Sequence, residues 1–397
     1  MHRSTLIGIV ATALTTGPLA ACGGHHHGAV IHVPGDAPGL DQAVAHAHSG
    51  DTIVVGRGTY PGGVTVPRQL SNLTIRGVDR NGVVLDGGNR RKSGIVVHAD
   101  GVSILNMTAH NFLENAFYWE DVTGFRAAYL TAWDIQGYGI YAEGSTDGVI
   151  EHDYVSGAAD AAYYIGECRP CRSTISHVVA RRSAVGYSGT NAGTALTIRD
   201  SLWSENGAGI LPNTYANEKD PPEEDIVIVG NVVRRSGRAQ VPIHTPLAGF
   251  IGIGIAIAGG NGNVVRGNSV QDSERYGIAI FPTAQRVSFR PEGLLLRPYW
   301  HPHGNRIVRN HVSGSGRADL ALARGVGRGN CFRGNDAVSA LPPALQSGGC
   351  AASGDPTVAA ALTAPVSLMF DRTIRRRQPP GFASLPPPPP QPNMPGR

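Results

Sequence analysis

The sequence of 397 residues lacks the features that mark several common classes of protein. No apolar stripe with a 3.6-residue period is visible, which argues against a helical repeat. No Leu-x-x-Leu-x-Leu run occurs, which argues against a leucine-rich solenoid. The apolar stretch from Leu6 to Leu19 is too short to span a bilayer. A net charge of +4 is too small on so long a chain to indicate a nucleic-acid partner.

What the sequence does contain is a short apolar pattern that recurs about every 23 residues. The segments that carry it are Gly94–Val97, Ala116–Trp119, Gly139–Ala142, Ala162–Ile165, Gly186–Gly189, Gly209–Pro212, Gly254–Ile257 and Gly277–Ile280. With the second residue of each segment as anchor, the steps are 22, 23, 23, 24, 23, 45 and 23 residues. A fixed period of this length predicts a solenoid, in which each unit buries its apolar face against its neighbours.

Each unit is too short to hold a strand and a helix, and its apolar alternation over four or five residues predicts strands. A second recurring position, one per unit, falls at Asn106, Ala128, Asp153, His177, Asp200, Asn231, Asn268 and Asn310. Inward asparagines at such turns hydrogen-bond the backbone of the next coil. The pattern predicts an all-β fold, a parallel β-helix of stacked coils.

From Ile31 to Asn335 the chain resembles the right-handed parallel β-helix repeat proteins of the pectate-lyase-like superfamily. The resemblance implies a single-stranded right-handed β-helix with coils of about 23 residues. The helix expected over Gly39–His48, followed by Gly-Asp-Thr-Ile-Val-Val, resembles the first coil of such proteins. There the helix covers the end of the core, which would otherwise expose apolar surface and strand edges.

Residues 1–21 are interpreted as an export signal that ends at Leu19-Ala20-Ala21-Cys22. This run resembles the lipobox of bacterial lipoproteins, which implies lipidation of Cys22; an ordinary cleaved signal peptide is the alternative. Residues 22–28 would form a flexible tether. The expected location is the extracytoplasmic face of the bacterial cell membrane, with the lipid anchor as the membrane contact, or the cell envelope.

Four cysteines remain after Cys22, an even number that predicts two disulfides in an oxidising compartment. Proximity in sequence suggests the pairs Cys168–Cys171 and Cys331–Cys350. The Cys-Arg-Pro-Cys run leaves a redox or zinc half-site open as an alternative, although no βαβ pattern and no second closely spaced pair accompanies it.

The predicted domain order is a β-helix over 29–335, a segment packed on the last coils over 336–371, and a basic, proline-rich tail over 372–397. The tail contains Arg375–Arg377 and Pro386–Pro390, a composition that favours extended, disordered chain. A monomer is expected.

Strand alternation places each anchor and the second residue after it inside, and the first and third residues after the anchor outside. Successive coils therefore set a column of tyrosines beside a column of acids, which would repel one another, raise a pKa or recruit a cation. The candidate catalytic residues are Glu120, Glu143, Asp160 and Glu167, and the candidate substrate-binding residues are His98, Tyr118, Tyr141, Tyr164, Tyr187, Asn191 and Asn213. A tyrosine face beside carboxylates suits a sugar ring, and a solvated surface is the alternative.

Two insertions, Tyr215–Pro222 and about Thr283–His303, leave the coils just after the strand that carries the column, and a third, Arg238–Phe250, leaves from the other side. Loops on one edge of a rigid scaffold commonly form a binding groove. Trp300, His301 and His303 are expected within reach of the acids, with a polar loop favoured over a metal site.

The family resemblance implies polysaccharide lyases, epimerases, glycoside hydrolases or carbohydrate-binding members. The Asp-Pro-His-Asp, Gly-His-Gly, Asp-Asp and Arg-x-Pro-x-x-Arg signatures of particular members are absent. The leading hypothesis is a lipoprotein that binds, and can process, a polysaccharide or cell-wall glycan. No cofactor is expected, except that Ca²⁺ could bridge the acids. The alternatives are a non-catalytic adhesive or scaffolding solenoid and a periplasmic accessory protein that loads metal.

Overall fold

The computed structural model describes residues 28–284, 287–288, 295–296, 299–358 and 385–395. The predicted signal peptide, the lipidation site Cys22 and nearly all of the tether lie outside the described residues. No described helix is long and apolar enough to cross a membrane.

The chain winds into a right-handed parallel β-helix with three sheets, which confirms the predicted fold. Sheet 1 has twelve strands: Val30–Val33, Thr52–Val55, Thr74–Gly77, Val102–Leu105, Thr123–Ala128, Thr146–Glu151, Ser173–Ser176, Leu196–Arg199, Val227–Val229, Val264–Arg266, Arg306–Val308 and Cys331–Arg333. Sheet 2 has eleven: Gly58–Tyr60, Val83–Asp86, Thr108–Phe112, Thr131–Ile135, Tyr154–Ala158, Val179–Arg181, Leu202–Ser204, Val232–Arg234, Ser269–Gln271, His311–Ser313 and Asp336–Ala337. Sheet 3 has eleven: Val64–Val66, Ile95–Val97, Asn115–Glu120, Tyr138–Glu143, Ala161–Gly166, Val185–Thr190, Ala208–Asn213, Ile253–Ala258, Tyr276–Phe281, Ala318–Leu322 and Ala340–Leu341.

Other elements are few in the described part of the chain. An α-helix spans Leu40–His46 and a 3₁₀ helix spans Pro246–Phe250. The short strands Thr283–Ala284 and Tyr299–Trp300 pair antiparallel, as do Val287–Ser288 and Leu295–Leu296. The α-helix is the predicted cap, since Leu40, Ala43 and Val44 are buried in the same core as the first coils.

The core consists of ladders of equivalent side chains stacked from coil to coil. In sheet 1 the parallel register aligns Ile53, Ile75, Ile104, Ala127, Ile150, Ile175, Ile198, Ile228, Val265, Ile307 and Phe332. All of them are fully buried. β-branched side chains suit such a ladder because their restricted rotamers pack against identical neighbours on the pleated surface.

Asparagines form a second kind of ladder in the later coils. The side-chain oxygen of Asn268 accepts from the backbone N–H of Asn231 at 2.9 Å, and Asn310 does the same for Asn268 at 3.0 Å. Each amide group also donates to a backbone carbonyl of the preceding coil, for example Asn268 to Ile228 at 3.0 Å. These bonds satisfy buried backbone groups at the corner between sheets 1 and 2.

Four members of the predicted asparagine column do not occupy the inward position: Asn106, His177 and Asp200 lie at the residue before it, and Ala128 lies one residue earlier still. His177 and Asp200 are exposed and have positive φ, 55° and 50°, whereas Ser201 occupies the inward position and accepts from the N–H of Val178. At His177 and Asp200 the predicted column was displaced by one residue. Each corner contains a residue with left-handed backbone conformation, followed by a residue whose side chain points inward.

Sheet pairing continues to Leu341, beyond the predicted end at Asn335. Both predicted disulfides are confirmed, Cys168–Cys171 and Cys331–Cys350, so the Cys-Arg-Pro-Cys run is not a zinc half-site in this structure.

The expectation of a disordered tail is wrong for residues 385–395. This segment hydrogen-bonds to Arg80, Asn81 and Asn106 in the early coils. Proline content predicted its extended conformation but not the surface that holds it.

Candidate functional site

The candidate site lies on the outer face of sheet 3, over the strands Asn115–Glu120, Tyr138–Glu143 and Ala161–Gly166. Parallel pairing sets Tyr118 beside Tyr141 and Tyr141 beside Tyr164. The same register sets Glu120 beside Glu143. Alternation then turns Phe117, Ile140 and their equivalents into the core. We call the outward set the tyrosine–carboxylate face.

The tyrosines form a continuous aromatic surface. The rings of Tyr118 and Tyr141 stack with centroids 4.7 Å apart and planes 21° apart. Tyr138 stacks on Tyr141 at 4.3 Å and 8°, and Tyr164 meets Tyr141 edge-on at 4.7 Å. Burial raises the pKa of Tyr138, Tyr141 and Tyr164 well above the ordinary value, so their hydroxyls remain neutral donors at physiological pH.

The carboxylates line the edge of this aromatic surface. Glu143 accepts a 2.5 Å hydrogen bond from the hydroxyl of Tyr118, and His98 Nδ1 lies 3.0 Å from Glu120. Glu167 accepts from the backbone N–H of Lys219 at 3.3 Å and lies 3.4 Å from the hydroxyl of Tyr164. The acids are thus held at fixed positions by hydrogen bonds.

The protonation states of the acids differ. Burial, followed by the charge of Glu167, raises the pKa of Glu218 to about 8. Burial raises the pKa of Asp160 to about 6, against hydrogen bonds from Thr245 and Tyr138 that lower it. The pKa of Glu167 is also raised, first by burial and then by the charge of Glu143. At neutral pH Glu218 therefore carries a proton that it can donate, while Glu143 acts as an acceptor toward Tyr118.

Two insertions cover one end of the tyrosine–carboxylate face. Asn191 fixes the first by donating to the carbonyls of Tyr215 and Lys219, at 2.7 and 2.9 Å. His244 fixes the second through its N–H, which donates to the carbonyl of Ala159 at 2.6 Å. Beneath them Leu211, Tyr215, Leu247 and Phe250 join an apolar cluster outside sheet 3.

The exposed fraction of the side chains therefore decreases along the tyrosine–carboxylate face, from Tyr118 toward Tyr164. Tyr118, Glu120, Tyr141 and Glu143 are half-buried, whereas Tyr164 is only 2% exposed. The face is open at the coils that precede Tyr164 and covered beyond it. A chain-like ligand would lie on the open part and approach Glu167 and Glu218 at the covered end.

Several predicted site residues have other roles. Tyr187 was predicted to bind substrate, but it is fully buried and donates its hydroxyl to the carbonyl of Ile165 at 2.9 Å. It pairs in register with Tyr163 and Ile210, so it belongs to the inward ladder. Asn191 and Asn213 are buried under the insertions, where Asn213 accepts from the hydroxyl of Thr190 at 3.0 Å. They position the covering loops and the strand end.

The histidines of the third insertion do not contact these acids. His301 Nδ1 lies 2.6 Å from the carbonyl of Gly325, and the N–H of His303 donates to Asn261 at 3.2 Å. Both contacts belong to later coils. Within the described residues no group of three or more His, Cys, Asp or Glu side chains is arranged to hold a metal ion.

Sequence reasoning missed Tyr138 and Glu218. Tyr138 precedes the anchor segment Gly139–Ala142, and its ring turns outward onto Tyr141. Glu218 lies in the insertion Tyr215–Pro222, and only the folded path of that loop brings it to Glu167. The available signal was an acidic residue in an insertion that leaves the coil beside the acid column.

The family model described as "Right handed beta helix region" matches residues 93–291, half of the chain. The chain therefore belongs to the right-handed β-helix family. None of the curated proteins compared with the chain matches it.

Solved structures with a similar fold are distant in sequence. The catalytic domain of a GH87 α-1,3-glucanase in complex with tetrasaccharides is 12% identical with a TM-score of 0.51, over 85% of this chain and 68% of that chain. A rhamnogalacturonan lyase is 12% identical with a TM-score of 0.50, over 77% and 86%. The A-module of a mannuronan C-5 epimerase from Azotobacter vinelandii is 12% identical with a TM-score of 0.45, over 76% and 86%. At these identities the likeness shows the fold alone.

Proposed function

We propose that the protein binds a polysaccharide along the tyrosine–carboxylate face and hydrolyses it there. The observation that carries this proposal is the stack of Tyr118, Tyr138 and Tyr141 edged by Glu120 and Glu143. Flat aromatic rings offer the apolar face of a sugar a platform, and carboxylates accept hydrogen bonds from its hydroxyls.

The charge of the face favours a neutral polymer. Glu120 lies beside Glu143, the charge of Glu143 raises the pKa of Glu167, and Lys219 is paired with Asp121 at 2.6 Å. An acidic polymer would add further carboxylates to a surface that already repels them. A neutral glycan avoids this cost.

In hydrolysis one carboxyl group protonates the leaving oxygen, and a carboxylate acts as base or nucleophile. Glu218 suits the first role because burial keeps it protonated near neutral pH. Glu143 suits the second, with Tyr118 fixing its orientation through the 2.5 Å hydrogen bond. Asp160 and Glu167 would tune the proton affinity of Glu218 through their charges.

We also propose that the protein works outside the cytoplasm. Two disulfides in one chain are typical of an oxidising compartment. A lipid anchor at Cys22 remains a prediction, which labelling of the chain by a radioactive fatty acid in its host, compared with a Cys22→Ala chain, would test.

A screen of neutral and uronic-acid polysaccharides for binding and release of reducing ends tests the function. We expect the parent to bind and cut a neutral polymer and the Glu143→Gln, Glu167→Gln double variant to lose at least 100-fold in turnover. The exposed Glu274→Gln variant is the matched control. Binding without turnover by the parent would favour the non-catalytic solenoid, and no binding to any polymer would refute the proposal.

A further inference from the structure

The C-terminal segment Leu385–Pro395 lies against the outside of the early coils with a three-residue rhythm. Leu385, Pro388, Gln391 and Met394 are half-buried, and the residues between them are exposed. Three residues per turn is the period of a polyproline II helix, the conformation that its run of prolines favours. One side of that helix therefore faces the protein along its whole length.

Four of the hydrogen bonds between this segment and Arg80, Asn81 and Asn106 are made by its backbone, and one more runs from the N–H of Arg80 to Asn393 Oδ1 at 2.6 Å. The side chain of Asn81 donates to the carbonyl of Gln391 at 2.9 Å and accepts from the N–H of Gln391 at 2.8 Å. Asn106 accepts from the N–H of Met394 at 2.8 Å. Arg80 Nη1 donates to the carbonyl of Pro392 at 3.1 Å. A polyproline II helix has no internal hydrogen bonds, so side chains that bond its backbone recognise this conformation.

The β-helix itself orients Arg80. Its Nε donates to the hydroxyl of Thr131 at 2.8 Å. A third donor of the same guanidinium bonds the carbonyl of Leu130. The remaining Nη1 is thereby aimed at the segment.

The N-terminal end of the segment, at Leu385, lies against Gly157. A Cβ added at Gly157 would lie 2.6 Å from Cδ1 of Leu385, so the absence of a side chain there makes room for the leucine. Gly157 also has φ of 69°, which other residues rarely adopt.

We infer that Arg80, Asn81, Asn106 and Gly157 form a peptide-binding site for a polyproline II segment. Its ligand is the C-terminal segment Leu385–Pro395 of the same chain. The site lies on sheet 2 and on its corner with sheet 1, apart from the tyrosine–carboxylate face on sheet 3. It is therefore independent of the proposed glycan function.

The length of the chain permits this intramolecular binding. About 26 residues separate Val358 from Leu385 in the sequence, enough to span roughly 85 Å when extended. Gly157 lies on the strand Tyr154–Ala158, six strands from Asp336–Ala337, which corresponds to roughly 29 Å along the axis. A tether of this length keeps the local concentration of the segment near the millimolar range.

A labelled peptide of residues 385–395 tests the inference in the full chain by fluorescence anisotropy. The chain with Gln391→Pro and Met394→Pro lacks both backbone donors of its own segment, so its site should be vacant. The matched control carries Pro387→Ala and Pro390→Ala at exposed positions and keeps both donors. We expect the peptide to bind the vacated chain at least ten-fold more tightly than the parent or the control.

Adding Asn81→Ala to the vacated chain should weaken this binding about ten-fold, and Gln69→Ala, another exposed amide, should leave it unchanged. Equal binding of the peptide to the vacated chain and the parent, or equal binding of a scrambled peptide, would overturn the inference. A parent chain that is dimeric and becomes monomeric when peptide is added would assign the segment to a second copy and overturn the intramolecular assignment.

Discussion

Replacing Glu218 by glutamine should remove a loss of stability that the folded protein suffers as the pH rises. In the folded chain the pKa of Glu218 is raised from 4.5 to about 8, chiefly by burial. Between these two values the folded chain holds a proton that the unfolded chain has released. The free energy of unfolding therefore falls as the pH increases through this window, and the penalty is complete above about pH 8.

The size of the penalty follows from the shift. One pKa unit corresponds to about 1.4 kcal/mol, so the full shift would cost about 5 kcal/mol above its upper limit. The loop can also open locally around Glu218 and release it to water, at the cost of the hydrogen bonds that Lys219 makes with Asn191, Glu167 and Asp121. Each is worth about 1 kcal/mol, so we expect an observed penalty of about 2–3 kcal/mol.

Chemical denaturation of the parent and the Glu218→Gln chain at pH 5.0 and 8.5 measures this difference. The parent should lose about 2–3 kcal/mol more than the variant between the two pH values. The exposed Glu274→Gln chain should follow the parent. An identical pH dependence in parent and Glu218→Gln would refute the assignment of a buried proton to Glu218.

Three further substitutions test the structural roles. Tyr187→Phe should lower the free energy of unfolding by about 1 kcal/mol, because the hydrogen bond to Ile165 is lost. Titration with the glycan should show unchanged binding. Weaker binding would contradict the place of Tyr187 in the core. Asn268→Ala should cost about 2–4 kcal/mol in denaturation, since it leaves two buried backbone groups of the preceding coil, the N–H of Asn231 and the carbonyl of Ile228, without a partner. A neutral effect would contradict the ladder. The double variant Cys331→Ser, Cys350→Ser should lose about 2–4 kcal/mol in the same denaturation assay, and reduction of the parent, which also opens Cys168–Cys171, should cost at least as much. An unchanged stability of the double variant would contradict the role of this disulfide.

The repeat period carried most of the information about the fold. One apolar segment every 23 residues or so predicted the coils, and alternation within each segment predicted that Tyr118, Tyr141 and Glu143 face outward. These inferences succeed because every coil repeats the same local geometry, so one register applies to many strands. The prediction that Tyr187 binds substrate did not follow this alternation. Tyr187 is an anchor residue, so the alternation places its side chain inward, in register with Ile210.

The remaining parts of the site depend on contacts between distant residues. Glu218 lies half-buried near Glu167 because Asn191 holds the loop in place. The segment Leu385–Pro395 bonds to Asn81, which is 310 residues away from Gln391. Composition predicts the extended form of a proline-rich segment, but a nonperiodic contact of this range leaves no local pattern in the sequence.

The most direct test of the central claim is a crystal structure of the Glu218→Gln chain with an oligosaccharide of the polymer that the screen selects. The account predicts a sugar ring stacked on Tyr118 and Tyr141, with its hydroxyls bonded to Glu120 or Glu143 and a glycosidic oxygen beside position 218. A sugar bound elsewhere, with the tyrosine–carboxylate face left to solvent, would contradict it.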